Sequence, residues 1–454
     1  MKRILLFGAG KSATVLIDYL AMEVQKEALH LTVVDANLEM VQQKLNGSSN
    51  CTAASFDIMD SEQRQHAIEN ADLVISLLPP ALHILVARDC ITAKKNLLTA
   101  SYVDGYLKKL APEIKKAGLL FLCEMGLDPG IDHMSAKKLI DEIENDNGNI
   151  TSFVSHCGGL VAPESDDNPW HYKISWNPRN IVLAGKAGAV YKWKGHQKKL
   201  SYAELFSEKR FTDILGLEPL CWYPNRDSLS YIELYGLPDC ETFIRTTLRH
   251  PDFISGWKNI IDLQLTDETL RYDAESKSLK ALFKEHLLNH NLNERLEQFS
   301  STKNSSDGVR TGNIHDATLT SKQLLFLGLD DDQTKMQEKL CSAADILQYG
   351  LEKKLALLKK DKDMVVMKHE IEFEQENKMY KQTSTLVVKG EDNNRTAMAK
   401  TVGLPLGIAA RLILKGVIKN KGLCIPITKE IYEPVLAELY VHGIQFNDEK
   451  EALL

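Results

Sequence analysis

The chain has 454 residues, 44% of them hydrophobic, which is enough apolar material for two or three domain cores. A formal net charge of −7 supplies no basic field for nucleic acid or an anionic membrane surface, so neither is an expected partner. Met1-Lys2-Arg3 runs straight into apolar Ile4 to Phe7, leaving no room for a secretory or transit segment. No apolar stretch of membrane-spanning length is read further on, and a cytoplasmic setting is expected.

Residues 1 to 125 alternate short β-branched runs with helical patterns, the pattern of a parallel sheet with crossover helices. Strands are expected at Arg3 to Phe7, Leu31 to Val34, Leu73 to Leu77, Asn96 to Thr99 and Leu119 to Leu122. Ala13, Leu16, Ile17 and Leu20 recur at helical spacing between the first two. From Ile150 to Arg249 glycine pairs, prolines and aromatics become frequent, with strand-like runs at Ile150 to Val154 and Tyr231 to Tyr235. Lys258 to Gln298 and Lys322 to Lys360 read as helical, separated by the polar stretch Ser300 to Asn313. Met336, Leu340, Ala343, Leu347, Leu351, Leu355 and Leu358 form a stripe expected to pack in a core. Met364 to Phe373 and Thr383 to Lys389 follow as antiparallel strands, and Ala397 to Leu414 and Glu430 to His442 as helices.

The fold expected is α/β, a Rossmann doubly wound parallel sheet with a second α+β substrate domain carrying a helical insertion. Its boundaries are 1–130, completed by 396–454, for the dinucleotide half; 131–257 plus 361–395 for the α+β domain; and 258–360 for the insertion. The eight cysteines, never spaced as CxxC, read as reduced thiols with no structural zinc.

The loop GAGKSA at Gly8 to Ala13 carries the first chemistry. A dinucleotide fingerprint needs glycine for a tight turn, glycine where backbone meets pyrophosphate and a small residue where helix meets strand; Gly8, Gly10 and Ala13 answer these, and the helix N-terminus faces the anion at Ser12. A phosphate loop shares Gly10-Lys11-Ser12 but requires glycine where Leu5 stands, so that reading fails. Asp35, closing the second strand, can accept from both ribose hydroxyls of NAD and would repel the extra phosphate of NADP, so NAD is preferred; the bland role for Asp35 is a helix N-cap. Asp57 and Met59 would lie beside the adenine.

Seven blocks then occur in order: ThrAlaSerTyr at 99–102, GlyLeuAspProGlyIleAspHis at 126–133, CysGlyGlyLeu at 157–160, LysIleSerTrpAsnPro at 173–178, TyrProAsnArgAspSer at 223–228, ThrLeuArg at 247–249 and LysThrValGlyLeuPro at 400–405. Together they resemble saccharopine dehydrogenase of the L-glutamate-forming type, and especially the dehydrogenase half of the bifunctional aminoadipic semialdehyde synthase. The resemblance implies NAD-dependent oxidation of saccharopine and hydrolysis of the resulting imine to L-glutamate and 2-aminoadipate 6-semialdehyde, in lysine degradation. It implies substrate contacts from Ser101, Tyr102, Arg226, Thr247, Leu248 and Arg249, with Ser101, Leu127, Asp128 and Pro129 near the nicotinamide. Asp128, Tyr102 and Cys157 stand as candidates for handling the amine proton, Asp128 being favoured as base if partial burial raises its pKa. A substrate with three carboxylates calls for arginine, which stays charged and grips carboxylate with two prongs.

Blander roles stand beside these. Lone arginines are usually surface residues, AspProGly at 128–130 is good turn chemistry, and Trp170, Tyr172 and Trp176 suit packing better than an aromatic cage. His133 and His171 have no metal-like spacing and read as structural, and no metal is expected. A dehydrogenase of another N-substituted amino acid, such as carboxynorspermidine, and a non-catalytic NAD-binding protein remain as rival functions. Two partnerships stay open: a homodimer with residues 364–389 extending a sheet between copies, and pairing with a lysine-ketoglutarate reductase.

Overall fold

The computed structural model describes residues 1–292 and 312–453. The polar stretch read at Ser300 to Asn313, apart from its last two residues, and the end of the helical block at 293–298 lie outside them. Among the described residues the first sheet has seven strands. Six come from the N-terminal segment: β1 (Lys2–Phe7), β2 (Leu29–Val34), β3 (Cys51–Ala54), β4 (Leu73–Ser76), β5 (Asn96–Thr99) and β6 (Leu120–Leu122). The order is β6-β5-β4-β1-β2-β3, with Gly422–Cys424 added parallel to β6 at the edge. Every residue of β4 is buried, as expected of a central parallel strand covered on both faces. Of these strands, β3 has no counterpart in the expected set. Its four residues, Cys51-Thr52-Ala53-Ala54, are small and partly exposed and pair only with β2, so they carry almost no hydrophobic signal.

The register is parallel throughout this sheet, and Phe7 stands level with both Val34 and Ser76. The chain order reverses direction between β1 and β4, which leaves a crevice beyond their carboxyl ends where ligands of such sheets bind. Helix α1 (Thr14–Lys26) buries Leu16, Ile17, Leu20 and Val24. The helix Ala397–Leu414 packs on it. That helix corrects the expectation of no membrane-length apolar stretch: its 18 residues, with mean hydropathy 1.4, are long and apolar enough to cross a bilayer. It is a core helix, with 67% of that window buried inside the protein.

The chain forms two compact units, residues 1–157 with 232–239 and 367–454, and residues 158–231 with 240–366. These limits fall inside the long strands Asn149–Val161 and Asp363–Gln375, whereas the boundaries read from sequence follow changes in composition. In the first unit Lys378–Lys389 pairs antiparallel with Asn447–Ala452. The two-residue turn before it, Glu376-Asn377, has φ of 52° and 61°, the mirror-image turn that matches strand twist. In the second unit Arg210–Thr212, Leu220–Pro224 and Thr242–Arg249 form an antiparallel run, beside the hairpin Ala189–Trp193 and His196–Leu200.

Three local expectations change. Residues Ser230–Tyr235 are helical, not strand; Tyr231 and Tyr235 are buried while Glu233 and Leu234 are exposed, which is a four-residue rather than a two-residue period. Both helical blocks are interrupted by short strands, Arg271–Asp273 and Leu340–Ser342, paired with each other. The stripe therefore does not run through. Ser342 accepts from the Asp345 N–H while the Asp345 carboxylate returns to the Ser342 N–H, and this box starts the helix at Ala343. Ala343, Leu347, Leu351 and Leu355 are buried, but Leu340 and Leu358 are 61% and 64% exposed.

One turn near the sheet edge admits only glycine. At Gly130, φ is +148° and an added Cβ would lie 2.1 Å from the Gly126 carbonyl oxygen and 2.3 Å from its nitrogen. Replacing Gly130 by alanine should cost at least about 3 kcal/mol, strain and overlap combined, whereas Gly195→Ala, at φ +78° with open space around it, should cost about 1 kcal/mol. Urea unfolding of the two variants measures the difference; equal losses would count against the steric account.

Candidate active site

The loop after β1 is pinned from both sides. Gly8 has φ +98°, and a Cβ there would sit 2.8 Å from the Leu77 carbonyl oxygen. The Ala9 N–H donates to Asp35 Oδ2 at 2.7 Å, and the Asn37 N–H donates to Asp35 Oδ1 at 3.1 Å. Asp35 is thus not the cap of the following helix, Leu38–Leu45; Asn37 is, through the Met40 N–H at 3.0 Å. From that helix Lys44, which the sequence did not single out, donates to the Gly10 carbonyl at 2.7 Å and to Thr14 Oγ1 at 2.8 Å. Burial pushes its ammonium down to about 8, with Asp35 and Asp18 opposing.

The residues present fit a dinucleotide. A Cβ at Gly10 would meet no atom within 4 Å, so the loop has an open face there. The N–H groups of Lys11 and Ser12 stand in the first turn of a helical run and have no intrahelical acceptor, and Ala13, 1% exposed, closes the helix onto the sheet. Asp57 and Met59 are exposed beyond the end of β3, and Asp57 Oδ1 accepts from the Met59 N–H at 2.9 Å.

Beyond β4 and β5 lies a group that sequence reasoning missed. His83, 3% exposed, opens the helix His83–Thr92, with Nδ1 2.8 Å from Ser76 Oγ and Nε2 2.8 Å from Ser101 Oγ. Ser101 also donates its N–H to Thr99 Oγ1 at 3.2 Å. Burial pushes His83 down to about 4, so the imidazole is neutral and holds Ser101 without a charge. The residue after it, Tyr102, donates its hydroxyl to Asp128 Oδ1 at 3.0 Å. Asp128 is half-buried, between buried Leu127 and Pro129, and its peptide bond to Pro129 is cis. One further residue meets this segment: the buried Glu124 accepts at Oε1 from the Val103 N–H at 3.0 Å, and its Oε2 lies 2.8 Å from His133 Nε2. Cys157, 6% exposed, is the last residue of this stretch of the first unit.

The second unit carries the remaining residues. Arg249, 5% exposed, donates from Nη1 to the Leu248 carbonyl at 2.8 Å and to the Gly159 carbonyl at 3.4 Å. Its guanidinium lies 5.3 Å from the Tyr172 ring centroid and 5.5 Å from that of Phe253, while its Nε is buried without a hydrogen-bond partner. Among the described residues no carboxylate lies within ion-pair reach of it. Leu248 places its side chain in an apolar cluster with Leu160, Ile214 and Leu220, so only its carbonyl is turned to polar work. Thr247 pairs with Tyr223 across the strands. Arg226, exposed and at φ 51°, sits on the short strand Arg226–Asp227 paired with Ala189 and Val190. Trp170 and Tyr172 are buried in packing, as expected.

His171, read as having no metal-like partners, meets His250 and Asp252 with ligand atoms within 4.8 Å of one another. Spacing along the chain could not show this, because the partners come from a distant helix start. The groups are already engaged: His250 Nδ1 caps its helix by accepting from the Asp252 N–H at 3.2 Å, and His171 Nδ1 lies 2.6 Å from Asp166 Oδ2.

A family model described as the saccharopine dehydrogenase C-terminal domain matches residues 126–444, and one described as the saccharopine dehydrogenase NADP binding domain matches residues 4–122. The chain is 36% identical to the Saccharomyces cerevisiae saccharopine dehydrogenase (NADP(+), L-glutamate-forming), over 96% of each protein. The chain belongs to the saccharopine dehydrogenase family. It is therefore an oxidoreductase, and its first unit carries a nicotinamide-dinucleotide fold. The solved apo structure of histidine-tagged saccharopine dehydrogenase (L-Glu forming) from the same yeast superposes with a TM-score of 0.86 at 32% identity, covering all of both chains. Arabidopsis thaliana alpha-aminoadipic semialdehyde synthase is 35% identical over 94% of this chain, which spans 41% of that longer protein. Homospermidine synthase from Legionella pneumophila, at 10% identity and a TM-score of 0.57, shares the fold.

In this family member the buried His83 gives a pH test. Its folded pKa lies below the unfolded value, so the unfolded state binds the extra proton between pH 6.5 and about 4, and stability falls as pH falls through that window. The loss from this group is about 3 kcal/mol. Urea unfolding at pH 7, 5.5 and 4.5 should show His83→Gln losing less on acidification than the native chain, by about 2 kcal/mol at pH 4.5; parallel curves would count against a buried neutral imidazole.

Proposed function

We propose that the chain oxidises saccharopine with NAD and water to L-glutamate and 2-aminoadipate 6-semialdehyde. The observation that carries the reading is the end-to-end likeness to an L-glutamate-forming relative, 36% identical over 96% of both proteins. The Tyr102–Asp128 hydrogen bond supports it, since it joins two candidates for handling the amine proton. NAD serves as hydride acceptor when bound. The lysine-derived carbon next to nitrogen loses hydride only when the secondary amine is neutral, so the Asp128 carboxylate accepts the amine proton while Tyr102 orients the nitrogen. Water then adds to the carbon of the C=N bond, and the C–N bond breaks as the nitrogen regains a proton, leaving aldehyde and the amine of glutamate.

The preference for NAD rests on Asp35. Its carboxylate is held by the Ala9 and Asn37 N–H groups and keeps lone pairs for ribose hydroxyls, while a 2′-phosphate would meet like charge. The yeast relative is named for NADP(+), so the proposed preference rests on Asp35 alone. We further propose Arg249 as a carboxylate partner: a buried guanidinium without an ion pair is costly, and a substrate carboxylate supplies the missing acceptor at Nε.

Reduced-nicotinamide absorbance with saccharopine tests the reading directly; no reduction with either cofactor overturns it. NAD should be favoured at least about tenfold in kcat/KM, equivalent to about 1.4 kcal/mol, and Asp35→Ser should narrow that ratio. Asp128→Ala should lower kcat more than it raises the KM for saccharopine; near-normal turnover at saturation removes Asp128 from the role of base. Arg249→Met and Arg226→Ala should weaken saccharopine binding by about 1.5 to 3 kcal/mol each and leave NADH binding unchanged, as titration calorimetry would show.

A further inference from the structure

The motif at 126–133 ends in Asp132-His133, and neither the turn nor the proposed proton transfer uses that histidine. His133 is fully buried, with Nε2 2.8 Å from Glu124 Oε2 and Nδ1 2.6 Å from the Tyr235 hydroxyl. With the Nε2–H donating to the Glu124 carboxylate, Nδ1 meets the Tyr235 hydroxyl as acceptor or, in the protonated ring, as donor, and Asp132 Oδ2 lies 3.7 Å from Nδ1. Glu124 is 4% exposed, so its carboxylate has left water and depends on such donors.

The other face of Glu124 meets the site. Its Oε1 accepts from the Val103 N–H at 3.0 Å, and its own N–H donates to the Ser101 carbonyl at 3.1 Å. These bonds bracket Tyr102, the residue between. Glu124 has φ +55°, an unfavourable conformation for a side chain of this size, and it turns the chain so that backbone and carboxylate both reach the 101–103 segment. Tyr102 then donates to Asp128 at 3.0 Å. A strained, buried acidic residue is a costly way to hold a loop, and the geometry accounts for the cost if the position of Tyr102 matters to the reaction.

We propose that Glu124, oriented by His133 and Tyr235, is a positioning residue that clamps Ser101 to Val103 and thereby sets Tyr102 against Asp128 and the substrate nitrogen. The proposal rests on the saccharopine reading above. Glu124 acts through Tyr102, and small misplacements of such groups lower rates by up to about a hundredfold.

A double-mutant cycle on the full chain tests this, with saccharopine and NAD as substrates and NADH binding followed by fluorescence. Glu124→Ala should lower kcat by about 10- to 100-fold with NADH affinity within about twofold of the native chain. In the Tyr102→Phe background, itself slower than the native chain, the same change should cost less than about threefold, because the group being positioned is already gone. Glu124→Gln keeps an oxygen for the Val103 N–H, and His133 can turn its proton to meet the amide, so this variant should recover most of the lost turnover. Losses that multiply independently in the two backgrounds overturn the proposal, as does a Tyr102→Phe protein with native turnover. Should Glu124→Ala fail to bind NADH for want of folding, His133→Asn takes its place in the cycle with the same expectations. A native chain inert towards saccharopine overturns the function and this role together, whereas multiplying losses in an active enzyme overturn the role alone.

Discussion

The parallel register of β1 with β2 and β4 is the constraint from which the site in the first unit follows. Because Phe7 stands level with Val34 and Ser76, and Ser76 with Thr99, the carboxyl ends of four strands finish along one edge. The residues that leave those ends are Gly8, Asp35, the segment leading to His83, and Ser101. Each is held by a bond to a neighbouring strand end: Ala9 to Asp35, and Ser76 through His83 to Ser101. A one-residue slip of β1 would separate Gly8 from Val34 and Leu77, whose backbones fix the loop.

Much of this edge was legible in the sequence, because central parallel strands are continuous apolar runs. The strands at Arg3, Leu31, Leu73 and Asn96 announce themselves by β-branched residues followed by a turn. The loop Gly8 to Ala13 could be read because each of its small residues has a separate mechanical reason. β3 and the Gly422–Cys424 strand could not, being short edge strands with little to bury. Tyr231 to Tyr235 looked like strand from composition alone; its burial period shows otherwise.

The site residues divide in the same way. Tyr102, Asp128 and the arginines were accessible through ordered blocks of sequence, while His83, Glu124 and Lys44 were not. Each of those three depends on a partner distant along the chain, and His133 meets Tyr235 from 102 residues away. Single-chain spacing can suggest a cap or a metal pair but not a through-space relay. Asp35 shows the limit within a few residues: its carboxylate turned back to Ala9, and the capping that it might have supplied fell to Asn37.

Beside the proposed site residues the buried ionisable groups differ in kind: Glu124 near Tyr102 in the first unit, Arg249 in the second. In the first unit the buried groups beside Tyr102 are an acidic side chain, Glu124, and a neutral imidazole, His83. In the second unit the buried guanidinium of Arg249 lies against two aromatic rings with one nitrogen unsatisfied. Aromatic faces partly compensate a cation but cannot accept in the plane of its N–H groups, so the orphaned Nε retains a demand that a carboxylate meets. Removing a proton and anchoring a carboxylate require fields of opposite sign.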